Sequence, residues 1–313
     1  MSEDVFDKIA IIGIGLLGSS IAHAANAYGG AAKVALWDAS DDVRHRAARV
    51  VHGAVCDTAD AAIADADCVI LCTPVGALGE VTAAIGQNLK PGAILTDVGS
   101  VKAKAASDMA AHCPDQVHLI PGHPIAGTEK SGPEAGFASL FQDAWHILTP
   151  LPDQDAAYGE AVERLTLFWK GLGARVETMD AARHDRVLAI TSHLPHLIAY
   201  NIVATAYDME SVEQGEVVKY SAGGFRDFTR IAASDPTMWR DVFLTNKDAV
   251  LETLGRFSED LAALQRAIRW GDGEMLMREF TRARGIREAI IDAGLDTAEA
   301  DFGRRQLDPN SEN

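Results

Sequence analysis

The chain has few cysteines: four in 313 residues, at Cys56, Cys68, Cys72 and Cys113. None forms a Cys-x-x-Cys pair, and Cys68 and Cys72 lie in an apolar run where thiols behave as small hydrophobes. A redox pair or a thiolate metal site is therefore not expected. Positive charge is scarce as well, with 28 Lys and Arg against 45 Asp and Glu and a net charge of −17. Such a chain repels phosphate backbones and anionic lipid surfaces, so nucleic-acid and membrane-surface roles are set aside. An anionic substrate would have to be met by a few local cations, which directs attention to single Arg and His residues. The opening Met1-Ser2-Glu3-Asp4 lacks the basic and apolar regions of a secretory signal, and a cytoplasmic protein is expected. Residues 187–207 contain no Asp, Glu, Lys or Arg and have about the length of a membrane span. The polar Thr191, Ser192, His193, His196 and Asn201 within that stretch fit a helix that presents groups to a site instead. With 48% hydrophobic and 23% charged residues, the composition is that of an ordinary globular protein, long enough for two domains.

The first half alternates short β-rich runs with helical stretches. Strands are expected at Lys8–Gly13, Lys33–Asp38, Asp67–Thr73, Ala93–Val98, Val117–Pro121 and Trp145–Leu148. Helices are expected at Leu16–Tyr28 and near 40–50, 75–88 and 101–112. Alternation with fully apolar strands predicts an α/β fold, a doubly wound parallel sheet covered on both faces. Residues 121–136 break the pattern as a long irregular loop of the kind that usually carries function. Beyond about residue 178 the reading is all-helical, with a kink at Pro195, a helix start at Ser234-Asp235-Pro236, and helices near 236–270 and 273–292. The expected domains are 1–178 for dinucleotide binding and 179–300 for substrate and dimerisation, followed by a polar tail at 301–313.

A nucleotide signal opens the chain. Lys8–Ile12 runs into Gly13-Ile14-Gly15-Leu16-Leu17-Gly18 and then into a helix. Gly13 suits the tight turn, Gly15 the close approach of a pyrophosphate, and Gly18 the packing of helix on strand. The helix N-terminus offers free N–H groups to phosphate. A second strand ends at Asp38, where a carboxylate accepts from a ribose 2′-OH and repels a 2′-phosphate, so NAD is preferred over NADP. Ser40 and Arg44 leave room for either.

Four further segments carry reactive side chains: Thr96-Asp97-Val98-Gly99-Ser100-Val101-Lys102, His123-Pro124-Ile125-Ala126-Gly127-Thr128-Glu129, Ser192-His193-Leu194-Pro195-His196, and Gly223-Gly224-Phe225-Arg226-Asp227-Phe228-Thr229-Arg230, with Trp239 beyond. From residue 8 to about 290, this order of motifs resembles the prephenate/arogenate dehydrogenase family of tyrosine biosynthesis in its stand-alone catalytic form. The resemblance implies a Rossmann-like domain, an all-α dimerisation domain forming a homodimer, and a cleft between them. It implies NAD-dependent oxidative decarboxylation of prephenate to 4-hydroxyphenylpyruvate, or of arogenate to tyrosine.

By position in these motifs, His123 takes the hydroxyl proton, a role suited to a neutral imidazole, and Ser100 fixes its orientation or holds the hydroxyl. Arg226 is implied as the carboxylate-binding arginine, gripping the side-chain end of the substrate so that the departing ring carboxylate stays free. Ser192, His193 and His196 are implied to line the pocket, Glu129 to gate it and Trp239 to wall it. Gly13, Gly15, Leu16, Leu17, Gly18, Asp38 and Thr73 are expected to hold the cofactor. Plainer roles stand beside these: Ser100 as a helix cap, Arg226 in a salt bridge with Asp227, and His193 and His196 as core histidines. The two histidines have no evident third metal ligand, so no metal is expected. Asp97 is either a turn former or a pocket residue, and Lys102 and Lys130 are expected as solvated charges. Rival activities are another hydroxyacid dehydrogenase with the same two-domain plan, or an NAD-binding regulator without turnover.

Overall fold

The computed structural model describes residues 4–210 and 223–292. Strand β1 (Phe6–Ile12) has Ile9–Ile12 wholly buried and passes through the glycine turn into α1 (Leu16–Tyr28). The unit then repeats as β2 (Ala31–Trp37), α2 (Asp41–Val50), β3 (Ala54–Val55), α3 (Ala59–Ile63), β4 (Cys68–Leu71), α4 (Leu78–Ile85), β5 (Ile94–Asp97), α5 (Ala103–Ala110) and β6 (His118–Leu119). All six strands are parallel, in the order β3-β2-β1-β4-β5-β6. Connections run outward on both sides of β1, so the crevice at the carboxyl ends of β1 and β4 is the ligand position of this topology.

The strand at 145–148 belongs to a second sheet, not to the parallel one. Strands β7 (Gly122–Pro124), β8 (Trp145–Leu148) and β9 (Arg175–Thr178) form it, with β7 antiparallel and β9 parallel to β8. Helix α6 (Ala156–Gly171) connects β8 to β9 and buries Leu165, Phe168 and Trp169. The irregular stretch therefore contains a short strand that places His123. Its remainder packs on α1 and α2: a side chain at Gly136 would lie 2.2 Å from Ser19 Oγ, and Glu134 pairs with Arg46 at 2.8 Å.

The helical half begins with α7 (Ala181–Leu188), a π-helical turn at Ala189–His193, and α8 (Leu194–Glu210). The strain expected at Pro195 is accommodated by that wide turn, which removes the i to i−4 pattern where proline cannot donate. The run Ala181–Met209 is long and apolar enough to cross a membrane by length and composition, yet it carries His184, Asp185 and His193, all buried. Helices α9 (Gly223–Thr229), α10 (Pro236–Thr245), α11 (Lys247–Trp270) and α12 (Gly273–Asp292) follow. Asp235 caps α10 by accepting from Met238 N, with proline in the first turn as expected. The single helix expected over 236–270 is two, broken at Asn246, whose side chain turns into the core. The expected tail at 301–313 lies outside the described residues.

Candidate active site

Two features converge at the carboxyl ends of β1, β4 and β5. The first is a cradle. Gly13 has φ +102°, and a side chain there would strike Cys72 O at 2.6 Å. At Gly18 a Cβ would lie 2.0 Å from Gly13 O, whereas at Gly15 it would meet nothing within 4 Å. Gly13 and Gly18 thus close the turn, and the space over Gly15 is open at the start of α1, where Leu16 and Leu17 form the first turn. Asp38 braces the loop by accepting from Ile14 N and Ser40 N, each at 2.9 Å. Thr73 Oγ1 is buried without a partner among the described residues. An open space over Gly15, a carboxylate at the end of β2 and an orphaned hydroxyl fit a dinucleotide lying across the glycine turn. Arg44 bonds Asp38 O at 2.6 Å and pairs with Asp41.

The second feature is a set of buried titratable groups. His123 on β7 shares a 2.9 Å hydrogen bond with His184 Nε2 through its Nδ1. His184 Nδ1 lies 2.8 Å from Asp185 Oδ1, and the Asp185 carboxylate accepts from Lys102 N and Ala103 N, both at 2.8 Å. The start of α5 is therefore capped from α7, and Ser100 is not its cap. Asn246 Nδ2 reaches Asp185 O at 2.9 Å and His193 Nδ1 at 3.1 Å. His193 Nε2 is buried beside the backbone of Ser100 and has no partner at full hydrogen-bond geometry among the described residues. His196 donates to Ser192 O from Nδ1 at 2.8 Å and stacks on Trp239 at 3.7 Å, while His193 meets the same indole edge-on. Ser100, His123, Ser192, His193, His196 and Trp239 are thus brought into one connected cluster.

Lys102 departs from its expected solvated role, since its side chain is fully buried. Its ammonium pairs with Asp97 and donates to Gly122 O at 2.7 Å, while Asp97 also accepts from Gly99 N at 2.8 Å. Asp97 is therefore both turn former and counter-ion. Burial pushes the pKa of His123 well below that of a free imidazole, with His184, Lys102, His146 and His193 adding to the effect. Burial likewise takes His193 down to about 4. Both rings are neutral near pH 7.

At the mouth, Glu129 pairs with Arg230 at 2.9 Å. Its carboxyl is held below the ordinary range by its own backbone N–H and by Arg230. The charge of Arg230 is also felt at His196. Arg226, one turn earlier on α9, is exposed and has no described ion pair, with Asp227 included. The sequence motifs led to Arg226, whereas the geometry ties Arg230 to Glu129 and the histidine cluster. Sequence reasoning also missed His184, Asp185 and Asn246, whose roles arise only where α7 and the α10–α11 break meet the start of α5. A groove of about 680 Å³, lined in part by Lys8, Lys33, Asp67 and Lys90, lies near the opposite, amino-terminal ends of the strands, away from this chemistry.

Comparison with known proteins accounts for both halves. Residues 21–178 match the nucleotide-binding domain of prephenate dehydrogenase, and residues 180–282 match its dimerization domain. A cyclohexadienyl dehydrogenase of Zymomonas mobilis is 43% identical over 287 residues, 91% of this chain and 97% of that protein. Prephenate dehydrogenase of Aquifex aeolicus, solved with hydroxyphenyl propionate and NAD+, superposes with a TM-score of 0.82 at 33% identity, covering 93% of this chain and 99% of that one. The arogenate dehydrogenase of Synechocystis gives 0.74 at 25% identity, covering 90% and 99%. With both domains matched in order and the buried histidine cluster at their junction, the chain belongs to the prephenate dehydrogenase family.

Proposed function

We propose that the protein catalyses NAD-dependent oxidative decarboxylation of a cyclohexadiene dicarboxylate: prephenate to 4-hydroxyphenylpyruvate, and arogenate to tyrosine. The observation that carries this reading is His123, a neutral buried imidazole beside a dinucleotide cradle with an arginine across the mouth. Gly13–Gly18, with Asp38 at the ribose, would hold NAD, which would supply the hydride acceptor for C4 of the ring. His123 takes the C4 hydroxyl proton as carbonyl character develops, and returns it to that oxygen once CO2 has left and the ring is aromatic. A depressed pKa keeps His123 in its accepting form at neutral pH.

Ser100 and His193 offer hydrogen bonds to the substrate, and His196 stacked on Trp239 makes a flat wall for the ring. In a chain of charge −17 a dianion needs a forked cation. We assign that role to Arg230, which can exchange Glu129 for a substrate carboxylate, with Arg226 a turn away as a secondary charge. Gripping the side-chain carboxylate leaves the ring carboxylate free to depart, because clamping it would stabilise the ground state. A homodimer through the helical domain and a cytoplasmic location complete the reading. Formation of NADH with prephenate and with arogenate, measured beside a panel of 2- and 3-hydroxyacids, tests it. Turnover of the cyclohexadienes alone is expected, and turnover of a hydroxyacid instead would contradict it.

A further inference from the structure

Beneath the cleft, the network centred on Asp185 reaches both site histidines. The chemistry of its fixed ends dictates where their protons lie. Asp185 accepts two backbone N–H groups at the start of α5, each at 2.8 Å. Both carboxylate oxygens thus face N–H donors at the positive end of that helix. A carboxylate has no proton to give, so the 2.8 Å contact with His184 Nδ1 is donation from the ring. A neutral His184 then has its lone pair at Nε2. The 2.9 Å contact there requires His123 to donate from Nδ1, which leaves the His123 lone pair at Nε2.

The second branch follows the same logic. The carbonyl of Asp185 can only accept, so the Asn246 atom 2.9 Å from it is the amide nitrogen. That same nitrogen lies 3.1 Å from His193 Nδ1. This ring nitrogen must therefore be the acceptor, and the His193 proton is on Nε2.

We infer that His184, Asp185 and Asn246 are positioning residues that set opposite tautomers on the two site histidines, His123 as a proton acceptor at Nε2 and His193 as a donor at Nε2. The inference rests on the reading of His123 as the base and extends it. His123 is faced by Lys102 ahead of α5, His146 from β8 and His193 from the π turn, a setting hostile to positive charge, while the neutral His184 ring from α7 meets it with a lone pair. When His123 takes a proton, its bond to His184 becomes charge-assisted, and the Asp185 carboxylate one ring away opposes the new charge. The relay thus offsets, at the moment of transfer, the repulsion that keeps the resting base neutral.

Long-range proton–nitrogen NMR spectra of the full-length protein with NAD and no substrate read both tautomers directly. The wild type is expected to show His123 protonated at Nδ1 and His193 at Nε2. In His184→Gln the side-chain oxygen can still accept from His123, and the tautomer is retained. In His184→Leu the Nε2–H form of His123 appears. In turnover, His184→Leu lowers kcat roughly 10- to 100-fold, a large part of what a general base supplies. Its KM values are unchanged, and the acid limb of kcat moves to lower pH because the imidazolium has lost its acceptor. His184→Gln recovers most of kcat. Asn246→Ala frees the His193 tautomer and raises KM more than it lowers kcat. A wild-type spectrum with His123 protonated at Nε2 overturns the inference, even if the leucine variant fails to fold. So does a folded His184→Leu enzyme with unchanged kcat and pH profile. Because the spectra need no substrate, a wrong tautomer is distinguishable from absent turnover of prephenate, which would instead overturn the proposed function.

Discussion

Arg230 and Arg226 occupy successive turns of one segment but differ in what they touch. Both are exposed, but Arg230 has Glu129 at 2.9 Å and acts on His196, whereas Arg226 has no ion pair among the described residues. Arg230→Ala should therefore raise KM for prephenate roughly 10- to 100-fold, the cost of hydrogen bonds to a charged group. Arg226→Ala should raise it less, and KM for NAD should hardly move in either; steady-state kinetics of the two variants decides the order. A two-arginine motif does not reveal which guanidinium meets Glu129, because that depends on how α9 docks against the loop carrying it. Lys102 illustrates the same limit. Lysine is almost never fully buried unless paired, and its partner Asp97 is recognisable only once β5 and β7 are brought together. His123 and the Ser192–His196 block were legible through the resemblance of the motifs that carry them to a known family. His184-Asp185 reads as a stretch of ordinary amphipathic helix, and only its approach to the start of α5 makes it a relay.

The glycine turn separates two roles that a sequence pattern merges. Gly18→Ala would push a methyl against Gly13 O, with the backbone on both sides unable to yield, and should cost at least about 3 kcal/mol, visible as a large fall in Tm. Gly15→Ala meets nothing within 4 Å, so its Tm should be unchanged while KM for NAD rises about tenfold, a 1.4 kcal/mol loss. Helix α1 and strand β8 were legible to the residue because apolar runs end there at clear turn signals. Strands β3, β7 and β9 were not, since runs of two to four residues are too short to show a β period. A further consequence lies on β8, where His146 is fully buried, stacked on Trp169 and without a partner at either ring nitrogen among the described residues. Burial holds its pKa well below 6.5, as it does for His123 and His193. With folded pKa values below the unfolded one, these rings contribute stability present above about pH 6.5 that is lost as pH falls, when the unfolded chain binds the extra protons. His146→Phe should therefore narrow the gap between Tm at pH 8 and pH 5, measured by calorimetry; an unchanged gap would remove His146 from that account.

Across the whole molecule, the parallel sheet supplies the cofactor edge, the small second sheet places His123, and the helical half closes the site with Trp239 and Asn246. Asp241 of α10 lies against Gly76, where an added Cβ would approach it to 3.0 Å, so the two halves are in direct contact. The helical half leaves large apolar side chains exposed on α11 and α12, among them Ile268, Trp270, Met277 and Phe280. An apolar face of this extent on a dimerization domain is expected to be covered by a second copy of the chain. Light scattering should give about twice the 33.4 kDa chain mass, and Met277→Asp with Phe280→Asp should lower it to one chain. The fold was legible at this scale, since alternation followed by unbroken helix already implies two domains. Which faces meet was not, because an amphipathic stripe does not name its partner. The most direct measurement compares wild type with His123→Asn for NADH formation from prephenate, with NAD affinity determined separately. The account predicts a fall in kcat of about 100- to 10,000-fold at unchanged NAD affinity; an asparagine enzyme that forms NADH at the wild-type rate would contradict it.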